Sequence, residues 1–387
     1  MQTTSRLSWT PAPAWLLVIA MVAALAIVAA IAAGGRRAPV PAPFGLARPG
    51  LVAFEMSGDV IVANADGSAR RSLTNGSATD TFPMFSPDGK RLAYWRQGTS
   101  GLVVVVGDLE AGSWVTVPLP AGATPGSPAE QLEWSPGSDR LLFAIAIAPS
   151  ATPNIWTLRA DGGDLHALGD PGVYADEPTW SPDGRQIMYH GGGEGPDNGV
   201  YVMRADGTGS KRILTAAGSG FAFNMSTWRP QGDLIAFYAG ADGAHDVYVI
   251  HPDGTGQRNI SADHLNGRPT DEYWPAWSPD GTRLAFTQNV VRDQTQPFYD
   301  VVVVVDPDGS NAVTLDPVRA FSLRPESRLD RSKPIWSPDG KAIAGYLFNE
   351  TRGDYAIITF DVRDGRVLSQ VDSAGGGGLV SWQRLAP

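Results

Sequence analysis

Six times after residue 80 the chain writes nearly the same phrase. It reads "FPMFSPDGKRLAYW" from Phe82, "LEWSPGSDRLLFA" from Leu132, "PTWSPDGRQIMYH" from Pro178, "STWRPQGDLIAFY" from Ser226, "PAWSPDGTRLAFT" from Pro275 and "PIWSPDGKAIAGY" from Pro334. The aromatic anchors Phe85, Trp134, Trp180, Trp228, Trp277 and Trp336 stand 49, 46, 48, 49 and 59 residues apart. No other feature limits the fold as strongly. A unit of this kind cannot bury its apolar face alone and must stack on its neighbours. The period suits four short strands, the length of one propeller blade. The 45 Gly and 31 Pro among 387 residues fit many turns rather than long helices.

The fifth copy shows the physical grammar. "PAWS" is strand A. In Ser278-Pro279-Asp280-Gly281, proline presets φ, aspartate tolerates the third position, and glycine takes the positive φ that re-enters the next strand. Arg283–Thr287 alternates as strand B. Asp300–Asp306 is nearly continuous valine, the mark of a strand covered on both faces. Pro307-Asp308-Gly309 turns the chain into a short strand D, Ala312–Leu315. Strand C recurs from Asn154, Gly199, Asp246 and Tyr355. Each anchor Trp offers roughly 150–250 Å² for burial between sheets, a structural role rather than a ligand-binding one.

The two ends of the domain complete the count. Trp382 lies 46 residues after Trp336, in register with the repeat, but no turn follows it. The domain opens with strands B, C and D and no strand A: Leu51–Glu55, Asp59–Ala65, the Asp66-Gly67 turn and Arg71–Thr74. Leu379–Gln383 is therefore expected to pair with Leu51–Glu55 and close a seven-bladed ring, removing open edges. The expected fold is all-β: a seven-bladed propeller of four-stranded antiparallel blades, preceded by one N-terminal transmembrane helix.

The ordered "P-x-W-S-P-D-G" repeats, with "D-[IV]-Y-V" and a second D-G turn downstream, resemble the TolB-type, WD-repeat-like β-propeller family. The resemblance runs from Leu51 to the C-terminus. Three copies depart from it: Ser135–Asp139 rearranges the turn, Arg229–Gly232 lacks its Ser and Asp, and Phe85 replaces Trp. The resemblance implies a propeller that is often exported and often serves as a protein-interaction platform in the cell envelope. Other relatives carry such a propeller before a prolyl-oligopeptidase-type hydrolase domain. No Gly-x-Ser-x-Gly motif occurs here.

Residues Ala14–Ala33 contain no charged or polar side chain. Twenty helical residues span roughly 30 Å, the thickness of a bilayer core. Four segments are expected: a tail over 1–13, an anchor or signal peptide over 14–35, a Pro-rich linker over 36–50 and the propeller over 51–387. The stretch exceeds a usual signal-peptide core, although Ala30–Ala32 offers a small-residue cleavage site. Arg36, Arg37 and Arg48 follow it while Arg6 precedes it, so flanking charge alone slightly favours a cytoplasmic domain. Long domains translocate with little regard to such charge. Together with the family resemblance this places the propeller outside the cytoplasmic membrane, with the cytoplasmic orientation as the alternative.

Charge and composition exclude some functions. Four of the 30 Lys and Arg residues lie in the first 50, which hold no acid, so the remainder sets 26 bases against 40 acids. Such a domain repels phosphate backbones, and nucleic acid is not an expected partner. The chain has no cysteine, and its five His show no metal-ligand spacing. Arg352-Gly353-Asp354 and Gly207–Lys211 are chance-level matches to an adhesion tripeptide and a phosphate loop.

In such a blade the A–B and C–D turns share one end, and the B–C and D–A connections share the other. The variable connections all belong to the second end, which is the expected recognition face for a protein or glycan. Acids precede strand A there: Asp80, Asp176, Glu177, Asp271, Glu272 and Asp330. They form a candidate acidic channel mouth for a basic partner or a divalent cation such as calcium; the plainer reading is solvated loop carboxylates. The connection Val318–Lys333 adds Arg319, Arg324, Arg328, Arg331 and Lys333, a candidate docking loop for an anionic group, or partners of neighbouring acids. No catalytic residue is assigned. A membrane-anchored binding scaffold is the expected function, and a hydrolase or lyase using the channel-mouth carboxylates, with or without a divalent metal, is the alternative.

Overall fold

The computed structural model describes residues 45–126, 132–150, 152–169, 172–193, 197–215, 222–241, 244–261, 271–290, 299–316, 327–329, 333–349, 353–373 and 380–386. The predicted anchor Ala14–Ala33 and the rest of 1–44 lie outside the described residues. Among the described residues no helix is long and apolar enough to cross a membrane.

Residues 41–387 form one unit, an all-β ring of seven antiparallel blades. Blade 1 is regular: strands Thr79–Phe85, Arg91–Gly98, Gly101–Asp108 and Ser113–Pro118 pair in that order. Blades 3 and 4 repeat this arrangement. Blade 7 is composite. Its strand A, Ser381–Leu385, pairs with strand B, Arg48–Met56, through Val52 opposite Trp382 and Ala53 opposite Ser381. The chain's C-terminal strand thus sits in the sheet that its N-terminal strands begin.

Two features depart from the simple repeat. Strand A of blade 2 is split into Ala123–Pro125 and Glu133–Trp134. Strand A of blade 6 is split into Ser327–Leu329 and Ile335–Trp336. The connection read from sequence as one long loop, 316–333, therefore contains strand. Leu329 pairs with Asp300 of blade 5, whose short strand D (Val313–Leu315) leaves the start of strand C open to a new neighbour. That bond joins blades 5 and 6 into one sheet of nine strands.

Among the described residues, the buried apolar side chains fall into seven clusters, one at each interface between neighbouring blades. The all-valine strand C of blade 5 is covered on both faces: Val301–Val305 are all buried. The anchors are buried too, and three of their indoles carry polar bonds. Trp134 Nε1 donates to the Met84 carbonyl at 3.0 Å, Trp277 to Thr227 at 3.3 Å and Trp336 to Ala276 at 2.9 Å. Each indole thus bonds the carbonyl just before the previous blade's anchor. Blade 1 has Phe85 instead, and its backbone N–H donates to Ser381 Oγ of blade 7 at 2.9 Å.

The "SPDG" turns are self-contained. In blade 5 the Ser278 hydroxyl donates to Asp280 at 2.7 Å and accepts the Arg283 N–H at 3.0 Å. Gly281 N–H closes the turn on the Ser278 carbonyl. The rearranged turn of blade 2 keeps the same bond, Ser135 Oγ to Asp139 at 2.7 Å, with the aspartate one place later. Blade 4 lacks the Ser and substitutes an Arg229–Asp233 pair at 3.0 Å, with Arg229 Nε reaching the Gly281 carbonyl of blade 5. Gly89 (φ 71°) meets backbone: a Cβ there would lie 2.0 Å from the Arg384 carbonyl oxygen of the closing strand.

Candidate functional site: the central channel

Strand A lines the axis of the ring. At the A–B-turn end the channel holds a cavity of 350 Å³ walled by the anchor rings, by turn prolines and by the residue before each anchor. Those residues are Met84, Glu133, Thr179, Thr227, Ala276, Ile335 and Ser381. Only one carries a charge. Glu133 accepts a long bond, 3.3 Å, from the Thr179 hydroxyl of blade 3. Lys333, three residues before the anchor of blade 6, also lines this cavity.

Arg384 of the closing strand lines the cavity as well. Glu133 and Lys333 come from blades nearly opposite in the ring. Burial pushes the Glu133 carboxyl up, against the pull of Lys333 and the Thr179 bond. Burial pushes the Lys333 ammonium down, against the charges of Glu133 and Glu177. Both groups open onto the channel but are enclosed by protein, where a charge without a close partner is costly. Glu177 joins them through a break in its strand. The pairing register shifts between Asp176 and Thr179, and Glu177 takes a left-handed φ of 49°. Phe82 and Trp274 hold the same place in blades 1 and 5, each before a proline, with φ of 51° and 52°. Proline has no N–H to give the ladder, and such a bulge re-aims the side chain beside it.

The other predicted acids do not gather into one ring. Asp80 is buried and held bidentately by Arg96 of its own blade, at 2.7 and 2.8 Å. Asp176 is buried between Tyr174 (2.5 Å) and His190 (3.1 Å). Asp271 accepts from Tyr273 and from His245 of blade 4, the latter at 2.6 Å. Glu272 is fully buried and takes a 2.8 Å bond from Gln288. Asp330, Arg319, Arg324 and Arg331 lie outside the described residues. Arg328 falls in the strand Ser327–Leu329, with its side chain outside the description. Of the predicted residues, then, the fold brings together Glu177 and Lys333, one from each candidate group, and adds Glu133 and Thr179, which the sequence reading passed over.

His190 is the second notable group. Burial lowers its pKa, but the bond and charge of Asp176, with Asn198 and the Glu177 charge, outweigh that and hold it above the ordinary value. Both ring nitrogens face oxygens, Asp176 Oδ1 at 3.1 Å and Asn198 Oδ1 at 2.9 Å, which suits the doubly protonated ring. Among the described residues, no group of three or more His, Asp or Glu side chains is arranged to hold a metal ion.

Comparison with known proteins supports the same architecture. A TolB homolog of Chlorobium luteolum is 30% identical over 137 residues, covering 35% of this chain and 29% of that protein. The uncharacterised peptidase YuxL of Bacillus subtilis is 24% identical over 236 residues, covering 59% of this chain and 32% of that protein. The chain thus spans about a third of the length of these relatives. An oligogalacturonate lyase from Vibrio parahaemolyticus shares the fold at a TM-score of 0.60 and 14% identity, over 83% of this chain and 92% of that one. The TolB beta propeller domain family matches residues 53–287, more than half of the sequence, and the chain belongs to that family.

Proposed function

We propose that this protein is a binding scaffold of the cell envelope. Its N-terminal apolar segment holds it on the cytoplasmic membrane, and its propeller stands outside and presents the B–C and D–A connections, with the channel between them, to a protein or other ligand. One observation carries the reading: the B–C and D–A connections differ from blade to blade while the A–B turns repeat, and the channel behind them is lined by Glu133 and Lys333 with no ion pair between the two. Nearer the loop end of strand A, Asp80, Asp176 and Asp271 are answered by partners within one or two blades. Membership of the TolB family supports a protein partner, and the uninterrupted apolar run Ala14–Ala33 supports anchoring. The alternative hydrolase or lyase reading draws on the peptidase and lyase relatives. It asks for carboxylates able to take a proton or a metal, and Asp80, Asp176 and Asp271 are already engaged by Arg96, His190 and His245.

The test is site-specific photo-cross-linking in intact cells. Photoreactive residues at Thr99, Val173 and Asp197 sample the loop face, and others at Thr255, Thr282 and Lys341 sample the turn face. The scaffold reading expects discrete adducts from the first set only. Adducts confined to the turn face, or none from either, would overturn it.

A further inference from the structure

The channel charges define a ligand as well as a location. Lys333 lines the cavity, and among the described residues no hydrogen bond or ion pair engages it; the charges that act on it are those of Glu133 and Glu177. Among the described residues, the hydrogen bond that engages Glu133 is the long one from Thr179. The two side chains come from nearly opposite blades, and no ion pair closes between them. A simple anion entering here meets Glu133, and a simple amine meets Lys333 and Arg384. A molecule carrying both an ammonium and a carboxylate answers the acidic and the basic side at once. The 350 Å³ cavity lies within the range of small-molecule sites. Met84 and Ile335 supply apolar wall for the rest of the ligand.

We propose that Glu133, Thr179 and Lys333 form a binding site for a small zwitterion, a free α-amino acid or dipeptide. Its carboxylate meets Lys333 and its ammonium meets Glu133. The proposal rests on the reading of the channel as a binding site, but it needs no protein partner.

The experiment is calorimetric titration of the full-length chain in detergent micelles. The probes are L-leucine and L-leucyl-L-leucine, with N-acetyl-L-leucine and L-leucinamide as charge-blocked controls. At least one zwitterion is expected to bind saturably, and each blocked form to bind at least about tenfold more weakly, the loss of one charge-assisted contact. Lys333→Met and Glu133→Gln are each expected to cause a similar loss while the melting temperature stays close to the parent's. Lys333→Gln serves if Lys333→Met does not fold. The proposal falls if neither zwitterion gives saturable heat, if the blocked forms bind equally well, or if the folded variants bind as the parent does. Loop-face cross-links without zwitterion binding would end this proposal and leave the scaffold reading standing; zwitterion binding without cross-links would do the reverse.

Discussion

The two ends of strand A follow different rules. At the turn end the blades solve one problem in closely related ways. An aromatic anchor is buried against the neighbouring sheet in all seven, the indoles of Trp134, Trp277 and Trp336 and the Phe85 amide bond the adjacent blade, and a serine and an aspartate lock the turn in blades 1, 2, 3, 5 and 6. Where the sequence drifts, as in blades 2 and 4, the bond is rebuilt from other residues. At the loop end the blades share a bulge but not a chemistry: an acid is met by arginine in blade 1, by histidine in blade 3 and by a neighbouring blade's histidine in blade 5. The first end sets the ring. The second end varies, and from it Lys333 reaches the channel with the charge of Glu177 acting on it.

The sharpest break of this contrast is at the closing strand. Trp382→Ala removes a buried anchor from the interface between blades 6 and 7. It is expected to cost about 3–5 kcal/mol in denaturant unfolding. A cost below about 1 kcal/mol would mean that the turn-end anchors do not hold the ring.

At the loop end, Arg96→Met leaves Asp80 buried without its bidentate partner. Arg96 is itself a third exposed, so the expected loss is about 2–3 kcal/mol rather than the full value for a deeply buried pair. The double variant Asp80→Asn, Arg96→Met should recover part of that loss, because the uncompensated charge is gone.

Asp176→Asn probes the histidine pair, with an expected loss of about 1–2 kcal/mol at pH 6. Its signature is in the pH dependence. The folded pKa of His190 is raised, so the pair's contribution is fully present below the ordinary histidine value of 6.5 and is lost as pH rises through the folded value. The gap between parent and variant melting temperatures should therefore shrink from pH 6 to pH 9. A gap that is constant or widens would contradict the pairing.

The smallest effect is expected in the channel. Lys333→Met replaces an enclosed ammonium that has no close partner, so stability should stay within about 1 kcal/mol of the parent or rise. A large loss would show Lys333 to be a strut rather than a ligand contact.

The seven-bladed ring was legible in the sequence because its determinants are local and repeated. A period set by Trp and "SPDG" fixes strand, turn and register together, and the in-register Trp382 supplies the seventh anchor. The indole bonds between blades were not legible, since their acceptors are backbone carbonyls of any residue type. The acids before strand A were found by position, but not their fates. Asp80 and Asp176 differ in what stands opposite on strand B, Arg96 or His190, and that depends on a register shifted by the bulge. Glu133 was passed over although a signal existed. Aligning the repeats puts Met, Glu, Thr, Thr, Ala, Ile and Ser just before the seven anchors, and alternation in strand A turns that position to the axis. The one charge in that column marks the channel. The convergence of Glu177 and Lys333 needed the ring itself, because 156 residues separate them.

The central claim is that the channel charges bind while the paired acids hold the fold. A photoreactive residue at Met84, on the channel wall, tests it most directly in intact cells, read as the intact mass of the purified protein. The account predicts an added mass that disappears in the Lys333→Met background and persists in Asp176→Asn. No added mass, or one unchanged by Lys333→Met, would contradict it.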